Sequence, residues 1–105
     1  MEGSITIKHM QNYIAKKDLH LEKERDSLLK LMEEVGELAQ AVIRHFPNAT
    51  DDNIKGTIDE EVYDVLFYIL AIANEYNVDL EKCVPLKEKY TDAKWNTNYF
   101  DGFYE

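Results

Sequence analysis

The chain has 105 residues, 45% of them apolar, and a net charge of −9 from 21 Asp and Glu against 12 Lys and Arg. One domain is the default at this length, with a core that buries a modest share of the surface. The excess of acid argues against a nucleic-acid partner, which needs a basic stripe, but leaves a small anionic ligand open, because a bound divalent cation inverts the local charge. The lone cysteine, Cys83, excludes an internal disulfide and a cysteine-based zinc site. The start, MEGSITIKHM, has no basic segment followed by an apolar run, so no signal peptide is expected. The longest apolar run, VLFYILAIA (65–73), is too short to cross a bilayer. The expectation is a cytoplasmic protein without a membrane partner.

In chain order, Ile7, Met10, Tyr13 and Ile14 predict a short amphipathic helix starting near Ser4 or Thr6. A polar connector, KKDLHLEK (16–23), leads to the longest helix, Glu24 to His45, which Pro47 and Asn48 stop. FPNATDDNIKG is a loop by composition. Thr57 then reads as an N-cap, with Glu60 three residues on as its capping-box partner, opening a third helix over 58–76. NVD (77–79) breaks it, and Asp79 caps a fourth helix of about 80–95, in which Pro85 costs a hydrogen bond near the second turn. The tail, NTNYFDGFYE, is aromatic without a period, and either packs on a partner or lacks order. No strand, repeat, low-complexity segment or Gly-rich phosphate loop is predicted. The fold class is all-α, a four-helix-bundle-like subunit in one domain spanning 1–105, with its core at about 5–96 and a tail over 97–105. So small a bundle is suited to pairing with a copy of itself.

The second helix poses a chemical question, because LMEEVGELAQ (31–40) sets three glutamates within an apolar run. With Leu31 at zero and about 100° per residue, Leu28, Val35, Leu38, Ala39 and Val42 fall between roughly −20° and +80° and form the predicted core stripe. Glu34, at about −60°, and Glu37, at about −120°, border that stripe, while Glu33, at about −160°, lies further toward solvent. In the third helix, DEEVYDVLFYILAIA (59–73) is apolar nearly all round, which predicts burial, with Phe67 on the far side. Glu61 and Asp64 again fall at about −60° and −120° from Ile58.

Each of two helices therefore carries an acidic i, i+3 pair beside an apolar face. Four carboxylates beside a core are costly when ionised and unpaired. No Lys or Arg lies between Lys55 and Lys82, and Lys30 is the near cation on the second helix. A hard divalent cation resolves the crowding: Mg²⁺ takes oxygen ligands, keeps several waters and usually shares its shell with substrate phosphates. A solvated acidic face is the alternative, weaker for two matched pairs than for one. A di-iron carboxylate site needs Glu-x-x-His, yet His9, His20 and His45 are preceded at that spacing by Thr6, Lys17 and Val42. The histidines read as surface or loop residues.

KLMEEVGELAQAV, followed after a loop by DEEVYDVLFYILAIANEYNVDLEKC, resembles the MazG-like family of nucleoside triphosphate pyrophosphohydrolases, within the all-α NTP pyrophosphatase superfamily. The short single-domain form is similar to the integron-associated MazG proteins. The match covers roughly residues 24–96, and it is the pairing EExxE…ExxD that makes it specific. The resemblance implies Mg²⁺-dependent cleavage of an NTP or dNTP between the α and β phosphates, with Mn²⁺ as a substitute ion. It implies metal ligands at Glu34, Glu37, Glu61 and Asp64, and Glu33 as general base. Relatives place a Lys-x-x-x-Asn…basic pattern in the last helix against phosphates; here Lys87 and Lys94 match the basic positions, Thr91 stands where Asn is usual, and Lys30 joins them as a phosphate candidate. Tyr13, Tyr63, Tyr68, Trp95 and the tail aromatics are able to stack on a base, although aromatics at helical spacing are ordinarily core, and no base-binding residue is assigned. Relatives also imply a homodimer or homotetramer. The alternative function is a helical dimer that holds a metal–nucleotide complex or a partner protein without turnover.

Overall fold

A computed structural model of the chain describes residues 3–17 and 24–104. Four helices, α1 (Ile7–Lys16), α2 (Glu24–Ile43), α3 (Ile58–Glu75) and α4 (Leu80–Trp95), are followed by a 3-10 turn at Tyr99–Gly102. No strand occurs among the described residues, so the all-α class stands. The expected connector beyond Lys17, His20 included, lies outside the described residues.

Local chemistry sets the helix ends. Thr6 caps α1: its hydroxyl accepts the His9 N–H at 3.0 Å, and His9 Nδ1 accepts the Thr6 N–H at 3.4 Å. Thr57 caps α3 by accepting the Glu60 N–H at 3.2 Å. The expected reciprocal half of that box is absent, because the Glu60 carboxylate accepts the Gly56 N–H at 3.0 Å while the Thr57 N–H donates to the Ile54 carbonyl. Gly56, at φ 77°, takes the left-handed conformation without strain and so presents its N–H there. Asp79 caps α4 through the N–H groups of Glu81 and Lys82.

α2 stops at Ile43, two residues before the expected His45. His45 turns into the left-handed region (φ 55°), and the Phe46 and His45 N–H groups donate to the Ala41 and Val42 carbonyls. That paired closure satisfies the last carbonyls of the helix, so it ends ahead of Pro47. Asn77 closes α3 in the same way, with Val78 N–H on Ala73 and Asn77 N–H on Asn74.

α2 and α3 pack antiparallel: the Ile58 N–H reaches the Pro47 carbonyl at the loop end, and the Ser27 hydroxyl donates to Glu75 at the other. α1 lies on α3, with Ile14, Leu70 and Ala71 at the centre and Met10, Leu66, Phe67 and Leu80 packed around them. α4 packs on α1 and on the 3-10 turn.

Two expectations about burial are corrected. The face of α2 that is covered is Ser27, Leu31, Glu34, Leu38 and Ala41; of the predicted core stripe only Leu31, its zero, and Leu38 belong to it, while Leu28, Val35, Ala39 and Val42 stay exposed. The helical wheel reveals an apolar stripe but not its partner, and α2 carries two such stripes side by side. α3, expected to be buried nearly all round, keeps an open edge at Val62, Ile69 and Tyr76, and Tyr63 is exposed as well. The tail is also tied down rather than loose. Asp92 accepts the Thr97 hydroxyl at 2.6 Å and the N–H groups of Tyr99 and Phe100 at 3.2 and 2.9 Å, folding residues 97–102 back onto α4.

Candidate active site

Glu34 sits in the middle of the α2 face that meets α3, not at the edge of a core. Glu61 and Asp64 come from α3, one turn apart. One carboxylate oxygen from each of the three lies within 4.8 Å of the others. Glu34 Oε2 and Glu61 Oε2 are buried without a hydrogen-bond partner, which is costly for acceptors that are ionised. Glu37 adjoins the group, and its charge acts on Glu34, Glu61 and Asp64.

The electrostatics agree. Burial, then the negative charges of Glu37 and Asp64, push the Glu34 carboxyl from its ordinary 4.5 up to about 7. Glu61 is raised by burial and by the charges of Glu37, Asp64 and Glu60. Asp64 is raised by burial and by Glu60 and Glu37, and Lys55 offsets both only in part. All the ligand atoms are carboxylate oxygens, the donors that hard divalent cations take. Oxygen-only donors, orphaned oxygens and resisted ionisation together fit a divalent ion held between the two helices.

Beside the cluster a pocket of about 450 Å³ is lined by Glu34 and Asp64 with Tyr13, Tyr63, Phe67 and Tyr68. Phe67 stands out, since the wheel put it on the far side of α3. Its spacing three residues after Asp64 is the signal that marks it, because i and i+3 share a helix flank. Glu60 was assigned only to capping, yet its charge acts on both α3 acids. The doubled acid of EExxD, matching that of EExxE, is what would have revealed it.

The other expected residues lie apart from this group. Glu33 is exposed and pairs with Lys30 at 3.7 Å, so Lys30 turns to Glu33 rather than to Glu34 or Glu37. Lys87, Thr91 and Lys94 are on α4, and none lines the pocket at the cluster. Lys87 lies over the Tyr90 ring and Lys94 over Trp95, which is itself exposed.

A family profile described as the MazG nucleotide pyrophosphohydrolase domain matches residues 22–94. The chain belongs to the MazG family. It is thereby a hydrolase that acts on nucleotides. Among solved structures, the MazG chain is similar to N-terminally tagged iMazG from Vibrio DAT 722, at 38% identity and TM-score 0.77 over 88% of this chain and 99% of that one. The C-terminally tagged form of the same protein gives 37% identity and TM-score 0.75, over 84% and 99%. A Bacillus-conserved MazG protein, described as a nucleotide pyrophosphohydrolase, gives 30% identity and TM-score 0.64, over 85% and 91%. A comparison with curated protein sequences gave no match.

Proposed function

We propose that this MazG-family chain hydrolyses nucleoside or deoxynucleoside triphosphates between the α and β phosphates, releasing the monophosphate and pyrophosphate, with Mg²⁺ or Mn²⁺ held by Glu34, Glu37, Glu61 and Asp64. The observation that carries this reading is the meeting of Glu34, Glu61 and Asp64 within 4.8 Å, with two of their buried oxygens unpartnered. A bound divalent ion neutralises phosphate oxygens and makes an attacking water more acidic. Glu33, adjacent to Glu34 and open to solvent, accepts the water's proton. Lys30, paired with Glu33 at 3.7 Å, brings positive charge toward the phosphates. Lys87, Thr91 and Lys94 enter on the family pattern alone; the Thr91 hydroxyl donates one hydrogen bond where an amide offers two. Tyr13 and Tyr63 also line an adjoining, mainly apolar pocket of about 510 Å³, which has the character a nucleobase requires. A house-cleaning or pool-controlling role in the cytoplasm accords with this chemistry, and no described helix is long and apolar enough to cross a membrane.

Self-association belongs to the same proposal. The chain exposes 8539 Å², against about 6,100 Å² for a compact monomer of this mass. On α2 the open stripe Leu28, Met32, Val35, Ala39 and Val42 lies about 100° round from the face that meets α3. On α3 the open edge Val62, Ile69 and Tyr76 is offset from its α2-facing side by a similar angle in the same sense. Because the two helices run antiparallel, these stripes lie side by side. A patch of this extent on a small chain is the mark of an interface, and the occupant that fits is a second copy, as a dimer or a dimer of dimers. Sedimentation of wild type at micromolar concentration is expected to show a dimer or larger, and Val35→Glu with Val42→Glu to shift it to monomer.

The activity test is pyrophosphate release from a panel of NTPs and dNTPs with Mg²⁺, on wild type and Glu37→Gln. Release by wild type and near-total loss in the folded variant is expected. Release from no nucleotide would leave the alternative, a non-catalytic metal–nucleotide or partner-binding dimer. Full activity in Glu37→Gln would remove Glu37 from the site.

A further inference from the structure

The pocket beside the acidic cluster contains a cation as well as acids. Lys17, the C-cap residue of α1, lines the same space as Glu34 and Asp64. Its ammonium lies 5.2 Å from the centre of the Tyr13 ring and 5.4 Å from that of Phe67. Tyr13 precedes Lys17 by one turn on α1, and Phe67 follows Asp64 by one turn on α3, so rings from two helices hold one head group. A lysine stem is otherwise free to sample many rotamers, and two π faces bias it to one place. Among the described residues, no carboxylate lies within ion-pair distance of it. An unpaired ammonium beside a group of crowded acids would be expected to swing onto them; here the rings keep it apart.

Acids on α2 and α3 together with a separately held cation from α1 suit a ligand with several negative charges, one part of which meets metal ions while another meets an ammonium directly. We infer that Lys17 is a substrate-binding residue that contacts the polyphosphate chain of the nucleotide. The inference rests on the nucleotide reading of the site, and assigns to α1 a phosphate contact in the pocket that none of the α4 residues lines. Arginine also stacks on aromatic rings and binds phosphate, so Lys17→Arg should preserve the contact, while Lys17→Met keeps the stem and removes the charge.

Steady-state kinetics with Mg²⁺ and the best triphosphate of the panel test this, together with calorimetric binding of an α,β-methylene triphosphate analogue in Mg²⁺. Lys17→Met is expected to raise KM and weaken analogue binding about ten- to a hundredfold, the loss of one charge-assisted contact, with kcat changed less and Lys17→Arg near wild type. If Lys17 only straps α1 to α3 through its rings, Lys17→Met will lower the melting temperature and leave KM and analogue affinity unchanged, which overturns the inference. A wild type that binds the analogue without turnover would sink the hydrolase reading alone, and the binding comparison would still decide the role of Lys17. A wild type that neither binds nor turns over would sink both.

Discussion

Two polar regions of the molecule are built on opposite terms. At the junction of α1, α3 and α4, the buried Gln11 side-chain amide donates to Asn74 Oδ1 at 3.1 Å and to the Val78 carbonyl at 2.8 Å and accepts the Leu80 N–H, while the Gln11 backbone carbonyl accepts the Asn74 side-chain amide. Nearby, Lys8 pairs with Asp79 at 2.6 Å, and its N–H donates to Glu81. That hydrogen bond and charge hold the Asp79 carboxyl below the usual range. Between α2 and α3 the reverse holds: Glu34 and Glu61 each leave a buried oxygen unpartnered, and the carboxyls are pushed upward. A polar network complete within the chain serves the fold. One that is incomplete, and uniformly acidic, is complete only with something the chain does not supply.

The contrast is broken most sharply by exchanging damage between the two regions. Asp64→Asn is expected to cost on the order of a thousandfold in turnover, the scale of a lost electrostatic contact at the reacting phosphates. Its metal-free melting temperature should equal or exceed that of wild type, because one repelling charge is gone. Gln11→Ala should behave the opposite way, losing about 2–4 kcal/mol of stability by stranding the Asn74, Val78 and Leu80 groups, with turnover per folded molecule preserved. Parallel activity and thermal-melt measurements on both variants check the pair; a Gln11→Ala protein that is stable but inactive would contradict the division.

A smaller effect is expected from pH. The Glu34 carboxyl titrates at 4.5 in an ordinary setting and at about 7 in the fold. Between those values the metal-free folded chain holds more protons than the unfolded one, so the stability linked to this group is complete below about 4.5 and is lost as pH rises through about 7. Metal-free melting temperature should therefore fall across that window, and Glu34→Gln should flatten the fall. Mg²⁺ competes with the proton, so its stabilising shift should be larger at pH 8 than at pH 5. An equal shift at both would separate the ion from these carboxyls.

Much of this was legible in the sequence, and the exceptions have physical causes. Thr57, Asp79 and the apolar periods locate α3 and α4 within a residue, because caps and periodicity are local signals. Matched spacing in EExxE and ExxD shows that two helices carry similar acids. It does not show that Glu34 points at α3, since α2 bears two apolar stripes and only the fold selects which one is covered. The exposed Leu28–Val42 stripe looks like core to a helical wheel because it is as apolar as one, although it does not face its own chain. Asp92, which orders the tail through three hydrogen bonds, lies in a helix and acts on residues five to eight positions on, where no short pattern reveals it. Lys17 sits in a polar connector whose composition gives no hint that rings from α1 and α3 converge on it.

Crystals grown or soaked with Mn²⁺ in the absence of nucleotide, and measured at a wavelength where manganese scatters anomalously, test the central claim most directly. The account predicts an anomalous peak between α2 and α3, bonded to oxygens of Glu34, Glu61 and Asp64, that vanishes in Asp64→Asn. No peak there at saturating Mn²⁺, with the three carboxyls still grouped, would contradict it.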